Sequence, residues 1–148
     1  MSSATSPRLA FVQSTWHSDI VNQAWEGFRS AVDGRADVER FEVPGAFELP
    51  LHVRTLAETG RFDAVVAAGF VVDGGIYRHE FVADAVINGL MRVQLDMGVP
   101  VFSSVLTPQA FHETSTHHEF FGSHMVAKGE EVAQTCLLTL EARAAIAA

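Results

Sequence analysis

The stretch Ala64-Val65-Val66-Ala67-Ala68-Gly69-Phe70-Val71-Val72 decides the fold. It is short, almost wholly apolar and followed by Asp73-Gly74-Gly75. A strand with one wet face alternates apolar and polar residues. An unbroken apolar run reads instead as a central parallel strand covered on both faces. Such a strand needs helices above and below it, and the rest of the chain supplies the patterns for them.

Toward the N-terminus, Leu9-Ala10-Phe11-Val12 reads as a second buried strand. Val21, Ala24, Trp25, Phe28 and Val32 recur at spacings of three and four, which predicts an amphipathic helix. Ser18 is its expected N-cap, and Gly34 falls where a left-handed residue ends a helix. Val38 to Val43 alternates, with Val38, Arg40 and Glu42 on one side of the pleat, as in a strand with mixed faces. A helix is expected after Pro44-Gly45, ending at Gly60.

Toward the C-terminus, Val82, Ala85, Val86, Gly89, Leu90, Val93 and Met97 form one helical stripe that stops at Gly98. Val99 to Leu106 is the fourth strand. Two helical patterns close the chain, near Thr116–Ala127 and Glu130–Arg143, the second striped by Val132, Cys136, Leu137, Leu140 and Ala144. Strands alternating with helices predict an α/β domain: a three-layer α/β/α sandwich with a four-stranded, mainly parallel sheet. There is no repeat or linker, so a single domain over 1–148 is expected, with 1–8 as a flexible tail.

The net charge of −8, from 18 acidic against 10 basic residues, argues against a nucleic-acid partner, which needs a basic stripe. The single cysteine, Cys136, excludes an internal disulfide and a multi-thiolate zinc site. No run reaches the length of a membrane span, and Leu9–Val12 is too short for a secretory segment. The expectation is a cytoplasmic protein without a membrane partner.

In open α/β sheets ligands gather at the carboxyl ends of the strands. Four loops stand there: Ser14–Ser18, Val43–Glu48, Val72–Glu80 and Ser103–Phe111. Trp16 in the first can stack on a flat heterocycle, or pack between subunits or against the core. Glu48 in the second can accept bonds from ligand hydroxyls or merely complement a helix dipole. In the third, Gly74-Gly75 lets backbone amides approach a phosphate, while Arg78 supplies a fixed cation and His79 a group that titrates near neutrality. The rival reading pairs Arg78 with Glu80 on the surface. His112, His117, His118 and His124 lack the spacing of a metal motif, so no metal is expected.

The segment Phe41-Glu42-Val43-Pro44-Gly45-Ala46-Phe47-Glu48-Leu49-Pro50 resembles the VPGAFELP segment of the lumazine synthase family. The strand ending Gly69-Phe70-Val71-Val72-Asp73-Gly74-Gly75 looks like that family's phosphate loop. Pro100-Val101 through Leu106-Thr107 resembles its fourth strand, and Lys128-Gly129 its last helix. The likeness runs from about Leu9 to Arg143. It implies a transferase of riboflavin biosynthesis that condenses 5-amino-6-(D-ribitylamino)uracil with 3,4-dihydroxy-2-butanone 4-phosphate. The products are 6,7-dimethyl-8-ribityllumazine, phosphate and water, and no cofactor is needed.

By the same resemblance, Trp16 stacks on the pyrimidine ring, and Ala46, Phe47 and Glu48 hold the ribityl chain. Val71 and Val72 offer backbone contacts to the ring, and Gly75 with Ile76 form the phosphate turn. Ser103 falls where many members place a Phe from the neighbouring subunit. Three positions depart from the family: Arg78 stands where the acid/base His is usual, Ile76 replaces a Thr, and Phe120 falls where a phosphate-binding Arg is expected. Arg78 and His79 are the candidate catalytic residues. Trp16 with Gly-Gly-Ile-Tyr-Arg-His is similar to the divergent second type of the family, which implies a homo-oligomer, a dimer of pentamers. The departures leave open a weakly catalytic riboflavin- or lumazine-binding protein on the same fold. A flavodoxin-like signalling domain fits less well, because no acidic phosphoacceptor cluster stands at the strand ends.

Overall fold

In the computed structural model the described residues are 6–72, 78–107 and 115–148, without the side chains of residue 79 and residues 115–121. The elements run β1 (Arg8–Ser14), α1 (Ser18–Val32), β2 (Asp37–Val43), a 3-10 turn (Ala46–Glu48) and α2 (Leu49–Glu58). Then come β3 (Ala64–Phe70), α3 (His79–Met97), β4 (Val101–Leu106) and α4 (Ser115–Ala147). Strand β3 is buried at every residue and lies between β1 and β4, as its unbroken apolar sequence requires. The sheet order is β2-β1-β3-β4, and all three pairings are parallel.

Because side chains alternate along a strand, each strand feeds two cores. Leu9 and Phe11 of β1, with Ala64, Val66 and Ala68 of β3, face α1 and α4. Ala10 and Val12, with Val65 and Ala67, face α2 and α3. In the first core the Phe11 ring meets Trp25 at 5.2 Å and Phe28 at 5.0 Å. Gln13 continues this face of β1 yet is fully buried. Its amide donates to Asn22 Oδ1 (2.6 Å) and accepts from Arg40 Nε (2.7 Å), so neither end is left unpaired. The Arg40 guanidinium lies 5.1 Å over the Trp25 ring, which explains why edge strand β2 carries a charge on that face.

Arg8, expected in a flexible tail, instead opens β1 with its N–H on Asp63 Oδ2 (2.8 Å), and three further details differ from the sequence expectation. The two closing helical patterns are one helix, α4, that runs through Gly129 without a break. A Cβ on Gly129 would stand 2.1 Å from Ala24 O, and one on Gly27 would stand 2.1 Å from Val126 O. The glycines are therefore where α1 and α4 touch backbone to backbone, and close approach offsets the helix-interior penalty of about 1 kcal/mol. Second, Ser18 is the first helical residue rather than the N-cap. His17 holds the cap position with a left-handed backbone and no side-chain cap bond. Third, β4 opens at Val101, two residues late, because Pro100 offers its carbonyl to Val65 but has no N–H to give a ladder. Gly34 (φ 74°) and Gly98 (φ 65°) are left-handed at helix ends, as expected.

Cys136 lies in the core between α4 and the sheet, and burial pushes its thiol from the ordinary 9.0 up to about 12. The folded chain holds the proton that the unfolded chain releases, so stability is full below about 9 and falls as pH rises from there to about 12. A thiol reagent in mildly alkaline buffer is expected to spare the native protein and label the urea-unfolded chain. Equal labelling of both would contradict the buried thiol. Among the described residues no helix is long and apolar enough to cross a membrane.

Candidate active site

The connection from β1 to β2 runs through α1 on one face, and that from β2 to β3 runs through α2 on the other. The strand order therefore reverses at β1, and the carboxyl ends of β1 and β3 flank the crevice where ligands bind in open sheets. Trp16 follows β1, and Val71 and Val72 follow β3, so these three residues stand at the carboxyl ends of neighbouring strands.

The β1 exit is stitched to the β2 exit. The N–H of Thr15 donates to Val43 O (2.8 Å), and the Thr15 and Trp16 N–H groups share Pro44 O at 3.0 Å each. The indole lies directly on Gly45, where a Cβ would come within 2.7 Å of two ring carbons. Only glycine leaves room for the ring there. The ring is nonetheless 63% exposed, far too open for a core residue. Phe47, 64% exposed, stands in the neighbouring 3-10 turn beside exposed Glu48, while Ala46 is buried beneath them. Pro50 in the first turn of α2 locks the turn's exit. Two open aromatics and a carboxylate thus gather at the edge of the sheet.

Val71 is buried and its N–H donates to Leu106 O (2.8 Å); Val72 is half-buried. Ser103, on edge strand β4, is exposed, and its hydroxyl accepts from the Val105 N–H at 3.2 Å. Arg78 caps α3, its carbonyl accepting from Phe81 (3.0 Å). Its guanidinium is exposed, bonded to Glu80 Oε1 (2.6 Å) and poised 5.5 Å over the Phe81 ring. The surface pair weighed from the sequence does form. His79 is the first residue of α3. Gly75, Ile76 and His112 lie outside the described residues, as do the side chains of His79, His117, His118 and Phe120. His124 is exposed on α4, and among the described residues no three His, Cys, Asp or Glu groups stand close enough for a metal.

His17 escaped the sequence reading. It is the one described non-glycine residue with a positive φ (58°), and its ring meets Phe70 at 5.5 Å, edge to face. No pattern in the sequence marks such a backbone. A depression of about 170 Å³ between Arg8, Asp37, Glu39 and Arg61 lies at the amino ends of the strands, away from this crevice.

An open parallel sheet with exposed aromatics and a carboxylate near its switch point is the arrangement at which α/β proteins generally hold small molecules. The sequence model of the 6,7-dimethyl-8-ribityllumazine synthase family matches residues 6–144. A protein of that name from Rhodococcus erythropolis is 55% identical over 150 aligned residues, covering 99% of this chain and 97% of its own. 6,7-dimethyl-8-ribityllumazine synthase 2 from Bradyrhizobium diazoefficiens is 58% identical (90% and 82% covered), and that from Pseudomonas syringae pv. tomato 56% (90% and 81%). The chain belongs to the 6,7-dimethyl-8-ribityllumazine synthase family.

Proposed function

We propose that the chain is a lumazine synthase, joining 5-amino-6-(D-ribitylamino)uracil to 3,4-dihydroxy-2-butanone 4-phosphate. Family membership across residues 6–144 carries this reading, and the open indole of Trp16 at the switch point agrees with it. The 5-amine attacks the ketone to form an imine with loss of one water. A carbon-bound proton is removed as phosphate leaves, and the resulting enol becomes a carbonyl, onto which the ribitylamino nitrogen closes with loss of a second water to give 6,7-dimethyl-8-ribityllumazine. The enzyme's work is proximity, proton transfer and charge stabilisation at the departing phosphate. Trp16 stacks on the pyrimidine, Ala46, Phe47 and Glu48 take the ribityl chain, and Val71 and Val72 present backbone to the ring. Arg78, at the positive end of α3, takes the phosphate together with Gly75 and Ile76, with His79 as proton carrier. A turnover assay with both substrates, followed by lumazine fluorescence, tests the reading. Riboflavin binding without turnover would support a flavin-binding protein instead, a reading favoured by Arg78 at the usual place of His.

Trp16→Ala is expected to weaken riboflavin or lumazine binding by about 1–3 kcal/mol, the range for stacking on a base. Ligand should quench Trp16 emission and leave Trp25, packed on Phe11 under Arg40, nearly unchanged. Unaltered affinity in the alanine variant would remove the stacking role.

The site is completed by neighbours in a pentamer-based homo-oligomer of the second type, most simply a decamer, with Ser103 facing the adjoining subunit. Ile87, Met91 and Leu95 support this, forming an exposed stripe at four-residue spacing along α3, an apolar face that a lone chain leaves in water. Light scattering at micromolar concentration should report a particle of five or ten chains, and a monomer would discard the shared site.

A further inference from the structure

We infer that His17 is a positioning residue, a left-handed joint that holds the Trp16 indole against Gly45 and open at the carboxyl ends of β1 and β3. The inference rests on the stacking role of Trp16. The chain is pinned on both sides of that residue. Before it, the Thr15 and Trp16 N–H groups close on Pro44 O. After it, the His17 ring abuts Phe70, the buried last residue of β3, at 5.5 Å and 69°. The His17 carbonyl accepts from both Ile20 and Val21 N–H at 3.0 Å, so α1 starts from the joint itself. Trp16 is therefore slung between the exits of β2 and β3, with its ring resting on the former.

The joint is made at the expense of a normal helix start. An N-cap residue is ordinarily extended, and its side chain bonds the first free N–H groups. At φ 58° and ψ 41°, His17 makes no such bond, and Ser18, chemically the better cap, sits one place too late. A left-handed non-glycine backbone persists only where its surroundings over-determine it, and such residues cluster at ligand clamps. Histidine suits both demands. It is among the side chains that enter the left-handed region more readily, and its ring is flat enough to pack against Phe70. Glycine or asparagine would meet the first demand alone, and phenylalanine the second.

The test uses the full chain carrying Trp25→Phe, so that emission reports Trp16. His17→Gly keeps the left-handed backbone and removes the ring. Its free Trp16 is expected to lose fluorescence anisotropy, its riboflavin Kd to rise about tenfold, and its KM for the ribitylaminouracil to rise while kcat and the butanone phosphate KM hold. His17→Asn should give the same pattern more weakly, and it carries the test should the glycine variant not fold. Unchanged anisotropy and Kd in both variants overturn the inference. The two readings fail separately. If Trp16→Ala leaves riboflavin affinity intact, stacking falls, yet a freed indole in His17→Gly still establishes the joint. If Trp16→Ala weakens binding while His17→Gly changes nothing, stacking stands and the joint falls.

Discussion

Arg78→Ala is expected to raise the KM for the butanone phosphate and to lower kcat by roughly 10²–10³-fold, the loss usual for one preorganised charge-stabilising donor. A guanidinium keeps its proton near neutrality, so Arg78 cannot replace the family's acid/base histidine. It can neutralise a phosphate that Ile76 and Phe120 are ill-suited to hold. Its present partner does not forbid this. The bond to Glu80 is solvent-exposed, and such pairs contribute only about 0–1 kcal/mol, so a phosphate dianion can displace it. Arg78→Lys should restore activity only in part, keeping the charge without the planar fork. His79→Ala should flatten the pH–rate profile near neutrality if that residue moves the proton. Should Arg78→Ala leave both constants alone, phosphate binds elsewhere, with His112, His117 and His124 the next to examine. Being exposed, Arg78 can be removed without a folding penalty, so the thermal midpoint is the control.

Gly129→Ala is expected to destabilise the fold, although helix propensity by itself favours alanine by about 1 kcal/mol. The opposing effect is steric. A Cβ 2.1 Å from Ala24 O overlaps backbone, which cannot rotate away as a side chain can. Helix α1 would have to lift from α4, opening the core of Phe28, Met125, Ala133 and Cys136. Overpacking of this kind costs about 1–3 kcal/mol and more when backbone must move, so the net loss should exceed the propensity gain. Gly27→Ala should behave alike, because its Cβ would meet Val126 O at the same distance. Urea titration measures both, and a variant as stable as the parent would show that the helices are not in backbone contact.

Much of the fold, and the loops of the candidate site, are legible in the sequence. The apolar run at Ala64–Val72 marks a strand that must be covered twice, and the carboxyl-end rule then selects the loops holding Trp16, Glu48 and Arg78. The Val43–Pro50 motif carries the family on its own. Less legible was the state of each side chain. From sequence, Trp16 could stack on a ligand, pack between subunits or enter the core, and its position on Gly45 with 63% exposure sets aside only the core. Likewise Arg78 and Glu80 were chemically able to pair, but proximity at the start of α3 decided that they do.

The amino-acid sequence by itself determined the alternation of strand and helix, the buried character of β1 and β3, and the loops at which ligand chemistry gathers. Those features follow from local periodicity and apolar content, which a single chain segment displays in full. Only the tertiary structure decided that α4 runs unbroken through Gly129, that His17 turns left-handed instead of Ser18 capping α1, and that Trp16 is held between the exits of β2 and β3. Each of these depends on atoms far apart in sequence, Ala24 O against Gly129, Phe70 against His17, Pro44 O against Trp16 N–H. Glycine in isolation breaks helices and serine caps them. Close approach of a second backbone reverses the first preference, and the anchoring of neighbouring residues overrides the second.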